Sequence, residues 1–93
     1  MEIQKDLGVS HAVFFRTLAQ LPDGWVSETR STGATLEYGG GTVTIELAPE
    51  CERRIGLIRI PHTPTVFRFE GLSDVEREAF QSRFDLTFQR GGG

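Results

Sequence analysis

Two histidines and one cysteine are the side chains of this sequence best suited to proton transfer or nucleophilic attack. His11 lies near the start of a predicted helix, and His62 lies between two prolines. A general acid or base needs an orienting partner within hydrogen-bond reach, and neither histidine has one beside it in the sequence. Cys51 stands between Glu50 and Glu52, whose charges oppose thiolate formation. We therefore predict that the protein is not an enzyme.

Metal and phosphate sites have recognisable spacings that this chain lacks. It has neither a paired-cysteine zinc pattern nor the acidic spacing of a calcium loop. The glycines at 39–41 resemble a phosphate loop, but such a loop precedes a helix, and here a strand pattern follows. We predict no metal and no cofactor, and we interpret these glycines as a hairpin turn.

The composition is typical of a folded, water-soluble domain. Of the 93 residues, 38% are hydrophobic and 25% are charged, which predicts one domain over residues 1–90 and a flexible tail at 91–93. No apolar run reaches the roughly 18 residues of a membrane span, and the N-terminus has no signal-peptide pattern. The formal net charge of −3 disfavours nucleic-acid binding. We expect a cytoplasmic protein that binds neither membranes nor nucleic acids.

Two stretches have the periodicity of helices. Ser10 is a suitable N-cap for the first, which should end at 22–24, and its apolar residues recur three or four apart: Phe14, Leu18 and Leu21. Ser73 and Glu76 form a capping box that begins the second helix. Its predicted apolar stripe comprises Val75, Phe80, Phe84 and Phe88, and Gly91 is placed just after its last turn.

The apolar period changes from 3.6 to 2 outside these helices. Strands are predicted at 2–8, 25–30, 35–38, 42–47, 53–60 and 65–70. The stretch 61–64 contains two prolines, which cannot donate ladder bonds, so it is predicted to be a hairpin tip. Short loops make neighbouring strands antiparallel. These elements predict an α+β fold, β-α-β(4-5)-α, with one curved antiparallel sheet and two helices packed on one face.

The segment RRIGLIRIPHTPTVFRFEG, at 53–71, interleaves four arginines with apolar residues. A hairpin with its tip at 61–64 places Phe67 and Phe69 on the face that packs against the helices, together with Ile58 and Ile60. The opposite face then holds Ile55, Leu57, Arg59, Val66, Arg68 and Glu70. We call this set the Arg/aliphatic face.

Several interpretations of the Arg/aliphatic face remain open. It can be an ordinary exposed sheet face, on which arginine stems cover apolar surface, or a site for an anion or nucleic acid. Arginine among aliphatic side chains is also a common composition of protein interfaces. We predict a small non-enzymatic binding module that contacts a protein partner, or a second copy of itself, through Ile55, Leu57, Arg59, Val66 and Arg68.

An alternative function arises from the seven phenylalanines of the chain. A small apolar ligand could bind between the C-terminal helix and the sheet, in a pocket lined by Trp25, Phe67, Phe80 and Phe84. The same side chains can instead form the core.

The order of elements resembles the helix-grip topology of START-like lipid-binding domains and the plant pollen-allergen family, and the related fold of TATA-box-binding protein repeats. This resemblance spans most of the chain. It implies a sheet curved around a long C-terminal helix and, as in START-like domains, an apolar ligand site. The segment FEGLSDVEREAFQSRFDLTFQRGGG also looks like the end of short uncharacterised bacterial proteins, a likeness that implies no activity.

Overall fold

The structure, a computed structural model, describes residues 1–91. Its elements are β1 (Glu2–Leu7), α1 (His11–Leu18), β2 (Val26–Arg30), β3 (Gly33–Tyr38), β4 (Gly41–Leu47), β5 (Cys51–Ile55), β6 (Ile58–Glu70) and α2 (Asp74–Gly91). The predicted α+β class is confirmed. Gly91 is the last residue of α2 rather than the residue after it, and the rest of the tail predicted at 91–93 lies outside the described residues.

The sheet is antiparallel, with strand order β1-β6-β4-β3-β2, and β5 pairs with the first part of β6. Strand β6 is an interior strand, because it pairs with β1 on one side and with β4 on the other. The two helices cover one face of this sheet, as predicted, and within residues 1–91 the other face carries no helix. We call the uncovered face the outer face.

Helix α2 packs against the sheet through three phenylalanines spaced four residues apart: Phe80, Phe84 and Phe88. The ring of Phe84 lies 5.0 Å from that of Phe67, and the ring of Phe80 lies 6.0 Å from that of Phe69. Phe67, Phe80 and Phe84 are fully buried, and burial of each such side chain is worth about 1.5–3 kcal/mol. Phe67 and Phe69 therefore face the helices, as the alternation of β6 predicts.

Helix α1 is shorter than its apolar pattern predicts. The side chain of Ser10 caps its first turn, and Phe14 packs 5.6 Å from Phe88 of α2. The helix ends at Leu18 rather than beyond Leu21, because the N–H of Leu21 bonds the carbonyl of Leu18, only three residues back. Leu21 remains buried.

The predicted capping box begins α2, but the predicted apolar stripe is wrong at one residue. Glu76 accepts a hydrogen bond from the backbone N–H of Ser73 at 2.9 Å, and the Ser73 hydroxyl accepts one from the N–H of Glu76 at 3.2 Å. Val75 is 77% exposed. It precedes Phe80 by five residues, a spacing that places it off the face that recurs every three or four residues.

The predicted hairpin tip at 61–64 is also wrong, because β6 continues through both prolines. Strand β6 lacks a partner on one side at each of them: β1 pairs only from Thr63 onward and β4 only from Thr65 onward. A strand tolerates proline where a ladder bond is missing. The chain instead reverses at Gly56-Leu57, where Gly56 has a φ of +60°, which glycine adopts without strain.

Candidate interaction surface

A two-stranded arm projects from the sheet. It comprises residues 51–62, that is β5, the Gly56-Leu57 turn and the first part of β6. Every residue from Cys51 to Pro61 is exposed, and the molecule measures 45 Å along its longest axis against 24 and 23 Å along the others. An isolated pair of strands is marginally stable in water, so an arm of this kind gains most from a surface that covers it.

The strand register gives the arm two chemically different faces. Residues directly opposite each other in an antiparallel pair share a face, and the register pairs Ile55 with Ile58 and Arg53 with Ile60. The face that continues into the outer face of the sheet therefore carries Cys51, Arg53, Ile55, Ile58, Ile60 and His62. The reverse face carries Glu52, Arg54, Arg59 and Pro61.

Aliphatic side chains are unusually exposed along the arm. Ile55 is 57% exposed, Ile58 61% and Ile60 39%, and Leu57 at the tip is 103% exposed. We call these four residues the aliphatic strip. Single exposed apolar side chains are common, whereas a contiguous exposed set marks an interaction surface.

The arginines of the reverse face make only loose ion pairs. The Nε atoms of Arg54 and Arg59 lie 3.7 and 3.8 Å from the same carboxylate oxygen of Glu52. Exposed pairs of this kind contribute about 0–1 kcal/mol each. With Arg53 on the other face, the arm carries three arginines and one glutamate, and it is the positively charged end of a chain whose net charge is −3.

The base of the arm is held by both histidines. His62 Nδ1 lies 2.9 Å from Asp6 Oδ1 of β1, and an Arg53 nitrogen lies 3.9 Å from the other oxygen of Asp6. His11 Nε2 hydrogen-bonds the carbonyl oxygen of Ala48 at 2.8 Å. Each histidine thus has an orienting partner, but the partner is distant in the sequence, so the residues next to each histidine could not reveal it.

Cys51 is the cross-strand partner of His62, which raises the question of a thiol–imidazole pair. The Cys51 thiol instead donates to the carbonyl oxygen of Pro49 at 3.7 Å, and the side chain is exposed. A catalytic thiol needs a base within hydrogen-bond reach, and the partner of the Cys51 thiol is this carbonyl oxygen rather than an imidazole nitrogen.

Among residues 1–91, no group of three His, Cys, Asp or Glu side chains is arranged to hold a metal ion.

The outer face of the sheet is mainly acidic. Arg68 Nε donates to Glu2 at 2.8 Å, and this hydrogen bond raises the pKa of Arg68 above its ordinary value. Arg30 contacts Glu28 and Glu46 at 3.1 and 3.3 Å. By strand alternation, this face carries two arginines, Arg30 and Arg68, and six carboxylates, those of Glu2, Asp6, Glu28, Glu37, Glu46 and Glu70.

A shallow groove of about 640 Å³ crosses the outer face near the base of the arm. Ala48, Pro64 and Val66 supply apolar lining, and Asp6 and Glu46 supply carboxylates. Lys5 also borders the groove, but its ammonium group pairs with Asp85 of α2 at 2.8 Å. We call it the acidic groove. Its lining combines apolar surface with negative charge, whereas the arm combines apolar surface with positive charge.

The predicted Arg/aliphatic face is only partly correct. Ile55 and Leu57 lie on the exposed arm, and Val66 and Arg68 lie on the outer face of the sheet. Arg59 does not share that face, because it is an odd number of residues from both Val66 and Arg68 along one continuous strand.

Because the hairpin tip was predicted at the wrong residues, two residues of the aliphatic strip were also predicted to be buried. Ile58 and Ile60 were predicted to face the helices, yet both are exposed. The Gly-Leu pair at 56–57 has the Gly-X pattern of a two-residue hairpin turn, and this pattern could have revealed the true register.

The four residues of the alternative ligand site pack against one another. Trp25 stacks on Phe80 with ring centroids 5.4 Å apart, and Phe84 meets Phe67 edge-on. Three of the four are fully buried: Phe67, Phe80 and Phe84. This arrangement is typical of a filled core.

The comparisons with known proteins give no family for this chain. No protein-family model, curated protein or solved structure matches it. Within residues 1–91, no helix is long and apolar enough to cross a membrane.

Proposed function

We propose that this protein is a small non-enzymatic binding module whose arm is the surface that contacts a protein partner. The observation that carries this proposal is the aliphatic strip: four neighbouring aliphatic side chains on a projecting ribbon, each at least 39% exposed. Full burial of one such side chain is worth about 1.5–3 kcal/mol. Covering the strip therefore supplies a binding free energy that the isolated chain leaves unused.

The surroundings of the strip favour a protein over a small apolar ligand. A small-molecule site is concave and encloses its ligand, whereas the strip lies on a ribbon only two strands wide. Arginines flank it, and arginine is enriched at protein interfaces. The single cysteine, Cys51, is unpaired, which is in keeping with the predicted cytoplasmic location.

A site-specific photocrosslinker tests the proposal. We would replace Leu57 with benzoylphenylalanine and irradiate cells that naturally produce the chain. The matched control carries the same group at Val75, which is 77% exposed on α2. We expect discrete protein adducts from position 57 and none of the same mass from position 75. Identical adduct patterns at both positions, or no adduct from 57, would overturn the proposal.

A further inference from the structure

We propose that the partner is a second copy of this chain, and that the arm of each copy lies across the acidic groove of the other. This inference rests on the proposed function, because it names the surface that covers the aliphatic strip. It is carried by the match between the arm and the groove in charge, in position and in size.

Charge selects the outer face of a second copy as the receiving surface. On the face that meets the groove the arm carries Arg53 and no carboxylate, and Arg54 and Arg59 lie beside Glu52 on its reverse face, whereas the outer face of the sheet carries six carboxylates and two arginines. The acidic groove adds apolar lining at the level of Val66. Complementary potentials favour this contact, and like-charge contacts are costly.

The position of the arm along β6 allows the exchange to be reciprocal. Alternation places Ile58, His62 and Val66 on one side of this strand. At about 3.3 Å per residue, Ile58 and Val66 each lie about 13 Å from His62. A two-fold axis that crosses β6 at His62, between two facing sheets, therefore sets Ile58 of each copy over Val66 of the other.

Interface size also favours a reciprocal contact. A stable protein interface uses about 20–30 residues from each partner, and the arm has only the residues 51–62. When each copy contributes both its arm and its acidic groove, the number of interface residues from each copy approaches this range. The two-fold arrangement is also closed, as most soluble homo-oligomers are.

Other pairings of two copies bring like charges together. If the two-fold axis ran along β6, each arm would lie on the other arm, and Arg53 of one copy would face Arg53 of the other between two arms that each carry excess positive charge. Edge-to-edge pairing of the arms has the same consequence. Each arrangement also leaves the acidic groove uncovered.

The native cysteine provides a test of this geometry. Cys51 is opposite His62 in the register, so the proposed axis sets the two Cys51 side chains face to face. Packed sheets lie about 10 Å apart, a separation too long for a disulfide. A bismaleimide crosslinker of about that length should therefore link wild-type protein into a covalent dimer, at concentrations where sedimentation detects the dimer. Mild oxidation should form little disulfide-linked dimer.

A matched variant controls for random collisions. The double substitution Cys51→Ser with Val75→Cys moves the single thiol to an exposed site on α2, where we expect no linked dimer. Equal linking of both proteins would overturn the proposed axis.

A charge exchange tests the pairing of arm and groove. Arg53 lies on the arm beside Ile60, and Glu46 lines the groove. We expect Arg53→Glu and Glu46→Arg each to weaken the dimer about tenfold. The two substitutions together should recover most of that loss, as measured by sedimentation equilibrium.

The outcomes separate this inference from the proposed function. A wild-type chain that stays monomeric into the high micromolar range overturns the second copy as partner. A dimer that the double charge exchange does not rescue overturns the arm-to-groove pairing. In either case, adducts from position 57 to a different protein would still support the arm as a binding surface.

Discussion

Asp6 and His62 join the base of the arm to strand β1, with 2.9 Å between Oδ1 of Asp6 and Nδ1 of His62. This contact lies where β1 ends and the arm loses its neighbour on that side. Arg53 approaches the same carboxylate at 3.9 Å. Asp6 therefore links β1 to both strands at the base of the arm.

Asp6→Ala should loosen the arm without unfolding the protein. Both partners of Asp6 are at the surface, where such contacts are worth about 0–1 kcal/mol, so the melting temperature should change little. Amide hydrogen exchange of the arm should become faster, whereas that of β3 and β4 should not. The control is Asp23→Ala, an exposed site in the turn after α1. Unchanged exchange in the arm of Asp6→Ala would contradict this role.

Phe84→Ala should be among the most damaging single substitutions. Phe84 is fully buried and contacts rings from both neighbouring turns of α2 as well as Phe67. Loss of a buried phenylalanine ring typically costs about 3–5 kcal/mol, because a cavity remains. Val75→Ala, at an exposed site of the same helix, should stay within about 0.5 kcal/mol. Urea denaturation of both variants measures these costs, and a small loss at Phe84 would mean that the core can collapse around the missing ring.

The capping box that begins α2 should make stability depend on acid pH. Hydrogen bonds from Ser73, chiefly from its backbone N–H, hold the pKa of Glu76 below its ordinary value. A carboxyl group whose pKa is lower in the folded state than in the unfolded state stabilises the folded protein at pH values above the unfolded-state pKa. That contribution is lost as the pH falls through the folded pKa. Glu76→Gln removes the titrating group, so the free energies of unfolding of wild type and variant should begin to converge as the pH falls below about 4.5, the ordinary pKa of this carboxyl group. Parallel pH profiles would contradict this.

Ser73→Ala tests the other half of the box. The Ser73 hydroxyl accepts the N–H of Glu76, and loss of an N-cap side chain costs about 0.5–2 kcal/mol. We expect a loss of that size at neutral pH, measured by urea denaturation. Ser82→Ala, in the exposed middle of the same helix, is the matched control and should be neutral or slightly stabilising, because alanine has the higher helix propensity.

The fold was largely predictable from local chemistry, whereas the register of one hairpin was not. The capping box and the spacing of Phe80, Phe84 and Phe88 are local patterns, and each predicted its element correctly. The prolines of β6 suggested a turn because their missing N–H groups weaken a ladder. They are tolerated since β6 lacks a partner on one side at each of them, a fact that depends on where β1 and β4 end.

The same dependence limited the prediction of the candidate surface. Moving the reversal of the chain from 61–64 to 56–57 changes the face of residues 58–60, whereas Ile55 keeps the face predicted for it. This change brought Ile58 and Ile60 into the surface and removed Arg59. The contacts of His62 with Asp6 and of His11 with Ala48 join residues at least 37 positions apart, so no local pattern could reveal them.

Salt should weaken the proposed dimer without abolishing it. The arm and the acidic groove attract through exposed charges, and the screening length falls from about 10 Å at 0.1 M ionic strength to about 3 Å at 1 M. Burial of the aliphatic strip does not depend on this attraction. We therefore expect dimer dissociation constants from sedimentation equilibrium to rise with sodium chloride for wild type. For Leu57→Glu, which introduces a charge into the strip, association should be lost at every salt concentration. A wild-type dimer that tightens as salt is added would contradict an attraction between the arm and the acidic groove.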